Sequence, residues 1–373
     1  MYGGKLLSEG GYGCVYYPEI NCLGKEEKNS NYVTKIQKND DSAENEIEIS
    51  NKIMKIQNYN FFFGPVTDSC KINISEINKG LVENCELIKK NGKEYILMKI
   101  KHIGKDDLLD NLLSTENKQI MNSLLDNYIY LLNSINILYK NNIIHYDLKE
   151  NNIMIDKKTK LPKIIDFGMS IDLNKVNENL DFYFFRYAPE YYVWCPEIHI
   201  LNYVINERSV LKKEDIEKIC NDVVNNNKIL KNIYSDNFIK KYKELMVKYN
   251  LRYKGLSKQK IIDELLKTSY TWDNYSLCII YLKILKYLFP YGFNENNFII
   301  SFSEILLYNI NPDPYKRLNI KKTEERFNNN LLKINNDKNK DYKSILNSLR
   351  EFEKKRNKMI TLQKKELLKI NIN

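Results

Sequence analysis

The apolar positions change period part-way along the chain. Over residues 1–100 they come in short runs that read as strands, and the run Glu94-Tyr95-Ile96-Leu97-Met98, following an Asn91-Gly92 turn, is continuous enough for a buried strand. One helical candidate, residues 42–56, interrupts them. Over residues 117–139 the apolar positions Ile120, Leu124, Leu125, Tyr128, Leu131, Leu132, Ile135 and Leu138 recur at three and four, which predicts a helix with one buried face. Residues 200–267 are polar and rich in Lys and Asn, with helical periodicity over 215–224 and 238–249. After Asn311 a Pro312-Asp313-Pro314 turn ends one helix and starts the next, and residues 342–369 read as a long basic helix. The pattern predicts an α+β chain: a sheet-rich part over 1–100, a mainly helical part over 101–328 with an insertion at about 200–267, and a basic helical tail over 329–373.

Composition narrows the class. With 43% hydrophobic and 28% charged residues over 373 positions, the chain has apolar material for more than one core and is not of the disordered type. Seven cysteines, at 14, 22, 70, 85, 195, 220 and 278, form an odd set without CxxC spacing. That argues against a disulfide framework or a zinc site and for a reducing, cytoplasmic setting. The longest apolar stretch, 277–289, is broken by Lys283 and Lys286, so no membrane span is expected. Of the net charge of +10, residues 331–373 supply +7, from twelve Lys/Arg against five Asp/Glu. Because Asn, Ile, Lys and Tyr are all abundant, the global charge reads as coding bias rather than as the mark of an anionic partner. The tail leaves nucleic acid open, but aromatic residues are few there, only Tyr342 and Phe352, so base stacking has little support. A monomer is expected. His102 and His199 read as surface or loop histidines, and Cys195 with His199 lacks further ligands for a metal.

Candidate chemistry is concentrated in His145-Tyr146-Asp147-Leu148-Lys149-Glu150-Asn151-Asn152 and in Asp166-Phe167-Gly168, whose Asp166 follows Asn152 by fourteen residues. Asp147 suits acceptance of a hydroxyl proton, Asn152 and Asp166 offer hard oxygens of the kind that hold Mg²⁺ on nucleotide phosphates, and Lys149 adds a fixed cation. Phosphoryl transfer asks for positioning and charge neutralisation more than covalent help, so base, metal ligands and cation together are the minimum kit. Near the N-terminus, Leu7-Ser8-Glu9-Gly10-Gly11-Tyr12-Gly13-Cys14-Val15 places glycines where backbone approaches a phosphate, although by themselves they equally mark a hairpin turn. Lys35, in the β-like run Val33-Thr34-Lys35-Ile36, needs an anion if buried. The α and β phosphates of ATP, with a helix carboxylate behind, meet that need. Among Glu44, Glu46 and Glu48, Glu46 is favoured because Ile47 and Ile49 place it at the edge of an apolar face.

Taken in this order, the motifs resemble those of eukaryotic-type serine/threonine protein kinases over about residues 7–317, apart from 200–267. Gly10, Gly13 and Val15 match the Gly-rich loop and Lys35 the strand lysine. His145, Asp147, Lys149 and Asn152 match the catalytic loop, Asp166, Phe167 and Gly168 the metal-binding motif, and Ala188-Pro189-Glu190 the end of the activation segment. The resemblance implies a bilobal protein-kinase-like fold, a small β-rich N-lobe before a larger mainly helical C-lobe, that uses ATP and Mg²⁺ on protein substrates. It implies that Leu7, Ser8, Gly11 and Tyr12 contact the nucleotide, with Val15 and Thr34 above the adenine and Met154 below it. Met98 would stand at the back, residues 99–101 with Ile100 would form the hinge, and Asp106 or Asp107 would reach the ribose. Asp273 would brace the catalytic loop and Arg317 would pair with Glu190. The stretch from Ser8 to Pro18 and the Asn/Ile/Lys bias are similar to kinases encoded by giant cytoplasmic DNA viruses, mimivirus-like, which implies host cytoplasm or virion.

Departures from the family pattern bear on regulation and specificity. Ser8 replaces a loop glycine, Thr34 a small alanine, and Ser50 an apolar helix residue. Tyr146 replaces the arginine that docks a phosphorylated activation loop, and the loop from Gly168 to Ala188 offers only Ser170, Tyr183 and Tyr187 as acceptors. Activity without loop phosphorylation is expected. Lys149 points to Ser/Thr acceptors, while a Tyr or dual-specificity kinase and a nucleotide-binding pseudokinase are the alternatives. The insertion reads either as a solvated decoration or as a partner dock.

Overall fold

A computed structural model describes residues 5–11, 13–27, 31–74, 77, 82, 84–90, 94–115, 117–289 and 297–336. The fold is α+β, with a sheet-rich N-terminal region and a helical C-terminal region. It divides into two compact units, residues 1–108 with 133–179 and residues 109–132 with 180–373.

The first unit is built on a five-stranded sheet: β1 (Lys5–Glu9), β2 (Gly13–Tyr17), β3 (Tyr32–Lys38), β4 (Val66–Asn73) and β5 (Glu94–Lys101), in the order β1-β2-β3-β5-β4. All neighbours are antiparallel. Register assigns each side chain to a face: Val15 lies opposite Lys35 and Lys35 opposite Met98, whereas Tyr16 lies opposite Thr34 and Thr34 opposite Lys99. The face of Met98 is covered by helix α1 (Asp41–Met54), which starts where the Asp40 carboxylate accepts the Ala43 N–H and which packs Ala43 against Val66, Ile96 and Met98. The other face carries a second core of Tyr16, Ile20, Ile36, Ile72, Tyr95 and Leu97.

On that second face lie two disulfides, Cys14–Cys85 and Cys22–Cys70. They overturn the reading that the cysteines form no disulfides for four of the seven, while Cys195, Cys220 and Cys278 are free and buried. Sequence spacing did not reveal them because the partners are 71 and 48 residues apart and meet only once strands and loops fold over one side of the sheet.

Besides the short antiparallel pair Glu19–Ile20 with Glu26–Glu27, two small sheets complete the described part of this unit. The antiparallel strands β6 (Ile153–Ile155) and β7 (Pro162–Ile165) are joined by the parallel two-residue strand Phe63–Gly64, and Ile143–Ile144 pairs with Ile171–Asp172. These short pairings fix both ends of the segments that carry Asp147 and Asp166.

The helix predicted over 117–139 is α2 (Asn117–Lys140). In the second unit follow α3 (Pro196–Asn206), α4 (Lys213–Asn226), α5 (Asp236–Asn250), α6 (Lys258–Leu266), α7 (Trp272–Leu288), α8 (Asn297–Asn309) and α9 (Ile320–Asn336). Helix α7 is buried nearly all round, and Tyr128, Tyr281, Phe302 and Phe327 pack their rings together beside it. The inserted helices are not a solvated decoration. Ile216, Ile219, Val223, Met246 and Leu265 are buried, and the Tyr242 hydroxyl donates to the Ile310 carbonyl at 2.7 Å. His199 is also buried, contrary to its reading as a surface residue: it lies on α3 beside Trp194, and burial lowers its pKa to about 3. The tail helix predicted over 342–369 lies outside the described residues. Among the described residues no helix is long and apolar enough to cross a membrane.

Candidate active site

The strand–turn–strand of β1 and β2 places the glycine segment, with Gly10 N–H donating to the Gly13 carbonyl at 2.9 Å. The glycines serve different ends. A Cβ on Gly13 would come within 2.6 Å of the Ile36 carbonyl oxygen, so this glycine is required by the closeness of β2 to β3. Around Gly11 nothing lies within 4 Å, which leaves that backbone open for close approach by a ligand. Ser8 stands at a bulge in the β1–β2 pairing, Leu7 is exposed, and Tyr12 lies outside the described residues.

Lys35 and Glu46 meet. The lysine Nζ is 2.6 Å from Glu46 Oε2 and 2.9 Å from Asp166 Oδ1. Burial works against the ammonium, but the two carboxylates outweigh it and hold the Lys35 pKa above its ordinary value. Burial likewise raises Glu46, with Lys35 pulling the other way. Asp166 is also opposed by burial, yet Lys35, then His145 and Lys149, bring its pKa below the usual carboxylate range. Glu44 and Glu48 are exposed, so the buried position on α1 belongs to Glu46.

Asp147 is 4% exposed and tightly oriented. Lys149 Nζ lies 2.8 Å from its Oδ2, and Asn152 Nδ2 donates to the same oxygen at 3.0 Å and to the Asp147 carbonyl at 2.9 Å. His145 is fully buried, its Nε2 is 3.0 Å from the Ile165 carbonyl, and its ring meets Phe167 edge to face. Tyr146 and Asp166 both hold positive φ, 68° and 63°, a conformation disfavoured for such side chains and found where a site over-determines its backbone. Gly168 packs against α1, where a Cβ would stand 3.3 Å from Glu46 Oε2.

The expected adenine-pocket residues are distributed less uniformly. Met98 is fully buried under α1, while Val15, Ile100 and Met154 are half-buried, Met154 bridged to Asp107. Thr34 is a correction. It lies on the face opposite Lys35, and its hydroxyl accepts from the Ile20 N–H and donates to the Ile20 carbonyl, both at 2.9 Å. Strand alternation gives the Lys35 face to Val33, a residue the sequence reading passed over and which parity alone would have found. Ser50 is also reconciled with its burial, since its hydroxyl accepts the Val66 N–H at 3.0 Å.

In the second unit Arg317 does not pair with Glu190. Its guanidinium makes a bidentate pair with Glu197, at 2.8 and 3.0 Å, with both side chains fully buried. It also donates to Thr271 Oγ1 at 2.9 Å and to the Asn311 carbonyl at 2.8 Å. Glu190 is 60% exposed and pairs with Arg186 at 3.5 Å. Pro189-Glu190 and Pro196-Glu197 lie seven residues apart, and the apolar neighbours Val193, Trp194 and Ile198 were the signal that the second is the buried one. Asp273 is buried in the first turn of α7.

A protein kinase domain model matches residues 4–198, ending one residue beyond Glu197. The chain belongs to the protein kinase domain family. It is similar to the serine/threonine-protein kinase pim-2 of Danio rerio, at 26% identity over 39% of this chain and 46% of that protein. It is similar also to serine/threonine-protein kinase 1 of African swine fever virus, at 32% identity over 31% and 36% of the two chains. A third relative, the striated muscle preferentially expressed protein kinase of Danio rerio, is 33% identical over 37% of this chain and 4% of its own length. The chain thus spans less than half the length of each of these relatives.

Members of this family use ATP and a divalent metal. The donor set here fits a metal: the Asn152 amide nitrogen is spent on Asp147, so its amide oxygen would face a cation, and the Asp166 carboxylate is 36% exposed with one oxygen held by Lys35.

Proposed function

We propose that the protein is an ATP- and Mg²⁺-dependent protein kinase that transfers the γ-phosphoryl to Ser or Thr hydroxyls of protein substrates and needs no phosphate on its activation segment. The observation that carries the reading is the Asp147 carboxylate, held by both Lys149 and Asn152 in a unit that also holds Lys35, Glu46 and Asp166 together. Bound ATP and metal supply the phosphoryl group and neutralise its charge. Asp147 orients the acceptor hydroxyl and takes its proton. Lys149 offers a cation at the place of transfer, Lys35 braced by Glu46 anchors the nucleotide phosphates, and Asn152 with Asp166 holds the metal.

Preference for Ser and Thr is supported by Lys149, two residues after the base, and by the names of the pim-2 and viral relatives. Independence from loop phosphorylation is supported by three features. Tyr146, buried, stands where a phosphate-docking arginine would be; the segment from Asp166 to Glu197 contains no threonine; and its one serine, Ser170, is buried with its hydroxyl donating to the His145 carbonyl at 3.2 Å. Incubation with labelled ATP and Ser, Thr and Tyr peptide arrays tests activity and acceptor class together. Asp147→Asn should abolish transfer while nucleotide binding persists; equal activity in wild type and variant would refute the assignment. Phosphatase treatment should leave the rate unchanged, and a large loss would end the regulatory part.

A further inference from the structure

Helix α1 must hold Glu46 against Lys35, and the features that dock the helix lie outside the Lys35–Glu46 pair itself. Asn45, immediately before Glu46, donates from Nδ2 to the carbonyls of both Gly168 and Ser170, at 3.0 Å each. Further along the helix Lys52 pairs with the buried carboxylate of Asp172, and Glu48 pairs with Lys175. Gly168 leaves no space between the helix and the segment it faces. Three contacts, one per turn of α1, therefore join the helix to residues 168–175, and each is made with groups the chain already has.

We propose that Asn45 is a positioning residue for phosphoryl transfer, acting through Glu46 and Lys35 as the N-terminal contact of a phosphate-independent latch between α1 and residues 168–175. This rests on the reading of Lys35, Glu46 and Asp166 as nucleotide-handling groups. An amide is suited to the place: its two N–H groups satisfy two carbonyls that a carboxylate would repel. The two ion pairs further along the helix set its pitch, and Asn45, next to Glu46, sets the depth at which Glu46 arrives.

The test uses the full chain. Asn45→Ala should lower kcat about tenfold, the size expected for losing two hydrogen bonds that act on the transition state. In a Glu46→Gln background the same substitution should change kcat less than twofold, because the route through Glu46 is already cut. Equal factors in the two backgrounds would overturn the proposal. Hydrogen exchange gives an arm independent of catalysis: Asn45→Ala should speed exchange over residues 41–54 and 166–172 and leave α7 unchanged. Unchanged exchange over 41–54 would overturn the latch even in an active enzyme. If wild-type protein transfers no phosphate, the exchange arm still decides the latch, and only the kinase reading fails.

Discussion

Replacing Glu197 with alanine removes the counter-charge of a guanidinium that has no access to water. The two charge-assisted bonds at 2.8 and 3.0 Å disappear, and the bonds to Thr271 and Asn311 remain as neutral company for a buried cation. Breaking a buried pair from one side costs roughly 3–5 kcal/mol. For a unit of this size that corresponds to a fall in Tm of about 10 °C. Glu190→Ala, seven residues earlier after an identical proline, touches only an exposed pair at 3.5 Å and should stay within about 0.5 kcal/mol of wild type. The chain has two tryptophans, Trp194 and Trp272, both buried in the same unit, so their fluorescence in urea reports the relevant transition. A double replacement, Glu197→Leu with Arg317→Met, should recover much of the loss, since both charges then leave together. The reasoning is refuted if Glu190→Ala costs as much as Glu197→Ala, or if the latter costs less than about 1 kcal/mol.

Further expectations concern the first unit. Gly13→Ala should destabilise the sheet by about 1–3 kcal/mol through overpacking against the Ile36 carbonyl. Gly11→Ala, in open space, should leave the denaturation midpoint unchanged and alter only the KM for ATP; equal midpoints for the two variants would remove the distinction. Asp156 is paired with Lys163 at 2.8 Å, and although burial opposes the carboxylate, Lys163 and the Thr159 and Lys158 N–H groups lower its pKa to about 2. A depressed carboxylate stabilises above its unfolded pKa, so this contribution should be present at neutral pH and vanish as pH falls from about 4 to about 2. Asp156→Asn should flatten that part of an acid denaturation curve; an unchanged curve would show that the pair contributes nothing. Reduction of the disulfides, followed by thermal unfolding, should lower the midpoint of the sheet-rich unit, with Cys14–Cys85 contributing about 4 kcal/mol from the loop it closes. No shift on verified reduction would contradict this.

The residues of the candidate site were readable from sequence because each is fixed by local spacing. Asp147, Lys149 and Asn152 occupy a single short segment, and Lys35 and Glu46 are joined by a strand and a helix whose periods are evident. What escaped was set by tertiary register. Val33 is the exception, since the alternation of the strand by itself puts Val33 rather than Thr34 on the face of Lys35. Glu190 and Glu197 each follow a proline, and what separates them is the burial that the apolar neighbours of the second bring about. The cysteine pairs depend on loops folding over a sheet, which no spacing rule encodes. The helices of the insertion were visible as periodicity, but their role as core required knowing what they cover.

The sheet order carries a consequence for the order of synthesis. β5 is the last strand to be made, yet it lies between β3 and β4, in the interior of the sheet. A ribosome that has finished Asn73 has produced two strands that belong to one sheet and cannot touch, each with a bare edge. Cys22 and Cys70 have both been synthesised by then, with the strand that brings them together still to come. Correct pairing must therefore wait for residue Lys101, and truncations ending before it should yield open-edged chains that associate with one another rather than a smaller folded domain.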